Sequence, residues 1–566
     1  VVIAEAAITF DNFFIKVDVL VKKGNTIQLV EVKAKSCTSD DEHDFLSLKK
    51  SPITIQSKWR PYLADVAFQA YVTSQAFPEW SIIPYLMMVN KNKETNMDGL
   101  NQLFTITKTE ADNGESRLGV EVNEKEMDLC KENIKDTVLQ AVNVKRVVNS
   151  ILYDQPLGSD NFSDQLNCPL SEFGTNNNAT FIEAAHQLSD AYKNSISLDK
   201  SGNNIGACCS KCTFCWQEII PNYSDEENYI SSIWNFPKNK IPELFDEKVY
   251  SIKDLYNKPH LNPLNQSSKR YKRQSLQIEL TAKNDSSEWF SGDISEIMND
   301  WNYPLHFIDF ETCTVPLPFH KNEYPYAVIA SQFSIHSLLE DGSQPHHYEW
   351  LAEQSAIDPT IQFVQKLQNI LSKDSGTIFM YANHENAVLK SAKQRMLPHK
   401  NKFKDEIDFI DSITFTTGEP KPVRAMVDLC KFIEKNYYHP STKGSNSLKA
   451  VLPAIMSTSK MLKQKYASPL SFGTNLKNYI LFQENRGKVE DPYDILPKLN
   501  EITSGKLYKA LFHKDSLKDG SGAMKAFQVL QFSNISEDER KGLRQGLLNY
   551  CELDTLAMLM LYEHLM

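Results

Sequence analysis

The sequence predicts an α/β protein of two or three domains, and three observations lead there. At 566 residues the chain exceeds the roughly 250–300 residues at which single cores stop growing. Apolar, β-rich runs of strand length occur at 13–35, 305–312 and 376–382. Helical runs follow at 65–71, 386–395 and 547–558, and a sheet with helices on both sides buries the apolar faces of such elements.

Charge and hydropathy narrow the class. Lys and Arg number 61 against 72 Asp and Glu, a net charge of -11, which excludes a uniformly basic nucleic-acid surface and leaves only local binding. The sequence holds no run of eighteen apolar residues and does not open on a signal-like segment. The expectation is therefore a cytoplasmic protein without a membrane partner.

The first element is a hairpin. Phe13 to Lys22 and Thr26 to Lys35 are joined at Lys23-Gly24-Asn25, where Gly and Asn tolerate positive φ. Glu31-x-Lys33 places both side chains on one strand face, with Asp18 across the ladder. Two carboxylates at that spacing can hold a divalent metal while the ammonium polarises a phosphate or orients water. A helix is expected to begin at Asp65 and to carry Gln69.

Asp18, Glu31-Val32-Lys33 and Gln69 together resemble the RecB-like branch of the PD-(D/E)xK nucleases. The resemblance implies that Asp18 and Glu31 bind metal, Lys33 assists hydrolysis and Gln69 supports the site. The family's Gln-x-x-x-Tyr becomes Gln69-x-x-x-Thr73 here, with Tyr71 displaced. Such domains also carry a motif upstream of the Asp, so the chain is expected to start inside the domain, with Glu5 a candidate extra acid.

Six of the ten cysteines are scattered, and four are bunched as Cys208, Cys209, Cys212 and Cys215. Thiolates at Cys-x-x-Cys-x-x-Cys spacing suit an iron-sulfur cluster, with zinc the alternative. Some RecB-like nucleases close with such a cluster, and the resemblance makes Cys209, Cys212 and Cys215 the downstream ligands, with Cys208 in reserve. The polar segment 158–178 precedes the cluster, and a connector spans 226–293. Within it, Lys269-Arg270-Tyr271-Lys272-Arg273 reads as a solvated linker that could touch phosphate.

The second carboxylate pair lies at 305–312, where an apolar run ends in Asp309-Phe310-Glu311. On a strand, i and i+2 point to one face, so both acids converge. Two hard oxygen donors on a rigid strand suit Mg²⁺ or Mn²⁺. Gly376 to Ala382 reads as a short strand followed by Asn383-His384-Glu385 and a helix. On a last helix, Tyr550 and Asp554 fall one turn apart on one face.

Asp-x-Glu, a later acid and a final Tyr-x-x-x-Asp resemble the tyrosine-type DEDD 3'-5' exonucleases, which implies an RNase H-like domain. The resemblance assigns Asp309, Glu311, Glu385 and Asp554 to metal and Tyr550 to the attacking water. The family's middle ligand is usually Asp, and Asp428 competes with Glu385 for that place. His439, Lys449 and Asp411 read as cap or surface groups.

The order of these parts, with Gly444-Ser445-Asn446-Ser447-Leu448-Lys449 and Val451-Leu452-Pro453, resembles a bacterial family of unknown function over nearly the whole chain. The expected architecture is a RecB-like restriction-endonuclease-like core with its Cys cluster at 1–225, a connector at 226–293 and an RNase H-like domain at 294–566. The expected activity is a metal-dependent nuclease with two active sites, acting on DNA more readily than RNA. The alternative is a nucleic-acid-binding scaffold with one or both sites inactive.

Overall fold

The computed structural model describes residues 1–47, 54–110, 116–124, 138–153, 180–193, 216–217, 220, 222–224, 228–353, 358–497, 520–532 and 535–566. The chain is mixed α/β and divides into two compact units, the first Val1–Leu100, Asp128–Tyr223 and Val315–Ala327, the second Asn101–Met127, Ser224–Thr314 and Val328–Met566. Among the described residues no helix is long and apolar enough to cross a membrane.

In the first unit, β1 (Val2–Phe10), β2 (Phe13–Lys23), β3 (Thr26–Cys37), β4 (Ser81–Asn90) and β5 (Leu139–Asn143) form one sheet in that order. The β2–β3 turn is tight because Gly24 takes φ 61°, a conformation that costs Gly nothing. Phe13, Ile15 and Val17 are buried, while Phe14 and Lys16 are exposed, the period-2 pattern of a strand with one face on a core. Strands β3 and β4 run parallel, so the chain must cross over, and α1 (Arg60–Ala76) does so. It begins five residues before the expected Asp65, with a proline in its first turn, where a missing N–H costs nothing. Leu63, Val66, Ala67 and Ala70 bury its inner face.

The second unit holds a sheet of β6 (Leu305–Cys313), β7 (Ile329–Leu338), β8 (His346–Leu351), β9 (Ile378–Met380) and β10 (Val427–Asp428), in the spatial order β8-β7-β6-β9-β10. Strands β8, β7 and β6 pair antiparallel, and β9 and β10 extend the sheet parallel to β6. The centre is thus the strand that carries Asp309 and Glu311. Ile308 and Phe310 point to one face, packed with Phe363 of α3 (Thr360–Leu371) and Leu389 of α4 (His384–Met396).

The opposite face, bearing Phe307, Asp309 and Glu311, meets α8 (Glu537–Leu565), where Phe307 packs 5.9 Å from Tyr562. A capping box of Ser536 and Glu539 starts this helix, satisfying backbone donors that would otherwise be orphaned. Gln332 on β7 donates to the Leu547 carbonyl at 2.9 Å, and Ser334 bonds Thr555 at 2.8 Å. These bonds fix the rotation and register of α8 against the sheet.

The basic run at 269–273 is not all solvated linker. Arg273 is buried on α2 (Tyr271–Ala282) and donates to the Tyr437 carbonyl at 2.5 Å and to Asn446. A guanidinium spent on buried backbone oxygens is a structural clamp rather than a phosphate ligand.

Candidate metal centre

Asp309, Glu311 and Asp554 converge in the second unit, with ligand oxygens all within 4.8 Å of one another. The strand puts the first two on one face, and α8 brings Asp554 over them. Burial raises all three carboxyls, with neighbouring acids adding to the effect at Asp309 and Glu311. Crowding three acids in that space opposes their ionising together, and a bound cation would relieve it. No Arg or Lys forms an ion pair with any of the three among the described residues.

Glu385, in the first turn of α4, stands outside that 4.8 Å group. It is 2% exposed, and its Oε2 has no hydrogen-bond partner. Burial and then the charge of Asp309 push its carboxyl well above the ordinary range. An orphaned buried carboxylate oxygen beside three others fits a donor set for Mg²⁺ or Mn²⁺. Asp428, the competitor, is instead the N-cap of α5 (Leu429–Asn436), accepting from the N–H of Lys431 and of Ala382 at 3.1 Å each. The apolar run around it is a two-residue strand running into a helix; both backbone donors reach Oδ1, while Oδ2 has no hydrogen-bond partner and lies 3.6 Å from the Lys431 ammonium.

Tyr550 and Asp554 share a face of α8 as their spacing requires, and the phenol donates to Asp554. Two neighbours were not anticipated. Lys449, on α6 (Leu448–Thr458), donates to Tyr550 Oη at 2.8 Å. It is therefore no surface group. Tyr493, on α7 (Pro492–Ile495), donates to Asp554 Oδ1. Cys551 Sγ lies 3.3 Å from Asp309 Oδ2. His439 and Asp411 keep their bland roles, one capping through Ser441 and the other paired with Lys393 at 2.6 Å.

A second acid group in the same unit, His347, Glu349 and Glu552, also brings ligand atoms within 4.8 Å. Here protein donors fill the space. Glu552 accepts from the N–H of Thr474 at 2.9 Å and of Asn475 at 2.7 Å, and the Asn475 amide donates to both Glu552 and Glu349. Both His347 nitrogens bond hydroxyls, of Ser334 and Thr474. Gly473, at φ 89°, admits this approach because a Cβ there would lie 2.3 Å from Glu552.

In the first unit the predicted residues also meet. Asp18 accepts from the Val32 N–H at 2.7 Å, and Glu31 accepts from Lys33 at 2.5 Å and from Gln69 at 2.8 Å. Asp65 joins them, bound by Lys33 at 2.9 Å and by Gln69 at 3.1 Å. The i,i+4 relation of Asp65 and Gln69 was the signal that could have found it. Burial alone would depress the Lys33 ammonium, but its bonds to Glu31 and Asp65 hold it above the ordinary range.

Two neighbouring expectations change. Glu5 is exposed and paired with Lys16, so it is no ligand of this cluster. Tyr71 packs on Phe13 and bonds His186 at 3.2 Å, while Thr73 turns back to the Gln69 carbonyl. Cys208, Cys209, Cys212 and Cys215 lie outside the described residues.

Site and fold together give a mixed α/β chain with three converging carboxyls that could hold a metal ion. Residues 306–447 match a family model described as a domain of unknown function (DUF2779). That match takes in β6, with Asp309 and Glu311, and α4, with Glu385. No curated protein and no solved structure matches the chain.

Proposed function

We propose that the second unit is a metal-dependent nuclease that removes nucleotides from the 3' end of DNA, or of RNA. The observation that carries this is the convergence of Asp309, Glu311 and Asp554 within 4.8 Å beside the orphaned oxygen of Glu385. The central strand runs antiparallel to β7 and parallel to β9, with β7 the one reversed strand of the five-stranded sheet, which supports an RNase H-like reading. Bound Mg²⁺ or Mn²⁺ would supply Lewis-acid stabilisation of charge on the scissile phosphate. Asp309, Glu311, Asp554 and Glu385 would hold it. Tyr550, anchored on Asp554, would position the water whose oxygen bonds phosphorus as the 3' oxygen of the preceding nucleotide leaves, giving a 5'-mononucleotide.

For the first unit the same proposal assigns Asp18 and Glu31 to metal, Lys33 to phosphate or water, and Gln69 to orientation, on a RecB-like core. One observation favours the alternative there. Lys33 already pairs with both Glu31 and Asp65, as in a platform that binds nucleic acid without cutting it. An iron-sulfur cluster or zinc on Cys209, Cys212 and Cys215 belongs to the proposal as well, and metal analysis of anaerobically purified protein tests it.

The activity test is digestion of single- and double-stranded DNA and RNA, 5'-labelled, with Mg²⁺, Mn²⁺ or EDTA. Metal-dependent shortening from the 3' end that Asp309→Ala abolishes supports the reading. Equal digestion by Asp309→Ala overturns it.

A further inference from the structure

We propose that Lys449 is the positioning residue of the carboxylate centre, seating the Tyr550 phenol and supplying the protein's own positive charge beside the metal site. This rests on the nuclease reading above and adds a residue that the reading does not contain.

The backbone around Lys449 is held from several sides. The preceding loop packs so closely that a Cβ on Gly444, at φ 81°, would lie 2.7 Å from both Gln277 and the Ser232 carbonyl. Asn446 is fixed through its side chain by Arg273 and through its carbonyl by Tyr381 at 2.6 Å. Lys449 follows within the first turn of α6, so its stem leaves an anchored point. The buried Arg273 clamp and the Gly444 approach thereby act on the site through α6.

At the other end, the ammonium lies over two rings, 4.8 Å from the centroid of Tyr550 and 5.0 Å from that of Tyr493. Such faces attract a cation and hold it. Lys carries donors only, so in the 2.8 Å contact the Tyr550 oxygen must accept. The phenol's single proton is then free to point at Asp554. Chemistry alone sets the direction of the relay, from Lys449 to Tyr550 to Asp554.

The charge acts beyond Tyr550. Lys449 stabilises the ionised forms of Asp309, Glu311 and Asp554 together. A divalent cation entering the ionised centre meets that positive charge, so once the carboxylates have lost their protons Lys449 should weaken metal binding. A residue with a merely structural role would do the reverse, since its loss would disorder the carboxylates and weaken metal.

The test uses the full chain with Lys449→Met, which keeps the stem, and Lys449→Arg, which keeps the charge. Mn²⁺ affinity, corrected for the protons released, is read by titration calorimetry in buffers of differing ionisation heat, and kcat and KM on a 5'-labelled single strand. Lys449→Met should bind Mn²⁺ roughly three- to tenfold more tightly while kcat falls roughly ten- to a hundredfold at little-changed KM. Lys449→Arg should keep the parent affinity and recover part of kcat. In the double variant Lys449→Met/Tyr550→Phe, kcat should fall no further than in Tyr550→Phe alone, because the lysine works through the phenol.

Weaker or unchanged Mn²⁺ binding in Lys449→Met overturns the proposal, as do fully additive losses in the double variant. Should Lys449→Met not fold, Lys449→Gln serves for the same readings. A parent that binds Mn²⁺ but cuts no substrate defeats the nuclease reading, and the affinity shift then still decides the role of Lys449.

Discussion

The chain's two predicted acid clusters meet the same electrostatic problem with different solutions. In the first unit Lys33 lies between Glu31 and Asp65 at 2.5 and 2.9 Å, so the cation is covalently part of the fold. In the second, Asp309, Glu311 and Asp554 crowd together, and among the described residues no Lys or Arg is ion-paired with them, Lys449 acting on them from its bond to Tyr550. A cluster with its own cation has part of its charge offset as it stands. A cluster without one stores the free energy that a divalent ion would release. The comparison teaches that convergence of acids is insufficient evidence for a metal; what already neutralises them decides.

The largest expected effect falls on the second cluster. Asp309→Ala should lower exonuclease turnover by at least about a thousandfold, measured as mononucleotide release, since it removes a donor that no neighbour can replace. If Lys33→Ala lowers that same release as far, the two clusters are not independent and the comparison breaks.

Next in size is a stability effect on the first cluster. Lys33→Ala leaves Glu31, only 7% exposed at its side chain, without its cation. Uncovering a buried charge costs roughly 2–4 kcal/mol, less here because Asp65 is more than a third exposed. Urea denaturation followed through the first unit should show the loss. An unchanged midpoint would mean that Lys33 is not the cluster's internal counter-ion.

A pH prediction sharpens the contrast. Burial, reinforced by Asp554, raises Asp309 from the ordinary 3.8 to about 8. The folded state therefore keeps a proton that the unfolded chain releases, so metal-free stability is lost as pH rises between those two values. Thermal denaturation in EDTA should show the second unit weakening from pH 5 to 8. Mn²⁺ should reverse the trend at the upper end, because binding the folded state alone stabilises it.

The smallest effect is expected at Tyr550. Tyr550→Phe should retain metal and slow release by roughly ten- to a hundredfold, as a positioning group rather than a ligand does. Loss of metal binding in that variant would promote the phenol to a ligand.

How much of this was legible in the sequence follows from the range of the forces involved. Hairpin and strand periodicity are local, so the turn at Gly24, the shared face of Asp309 and Glu311, and the one-turn spacing of Tyr550 and Asp554 could be read directly. Asp65 was also within reach, four residues before Gln69 on the same helix. Asp428 stayed a competitor to Glu385 because an apolar run before an acid looks alike whether it continues as a strand or turns into a capped helix.

Lys449 and Tyr493 were beyond reach for another reason. Their roles arise where short helices meet α8, and nothing in the residues around 449 or 493 records the presence of Asp554. Tertiary packing supplied that information. Arg273 is a similar case, since a basic run looks solvated until a buried carbonyl is found to receive it.

The most direct test of the central claim is the double variant Lys33→Ala/Asp309→Ala assayed beside each single variant, on 5'-labelled single-stranded DNA with Mn²⁺. The account predicts stepwise 3'-end shortening in the parent, retained 3'-end shortening in a folded Lys33→Ala and none in Asp309→Ala or the double variant. Shortening from the 3' end by Asp309→Ala at the parental rate would contradict it.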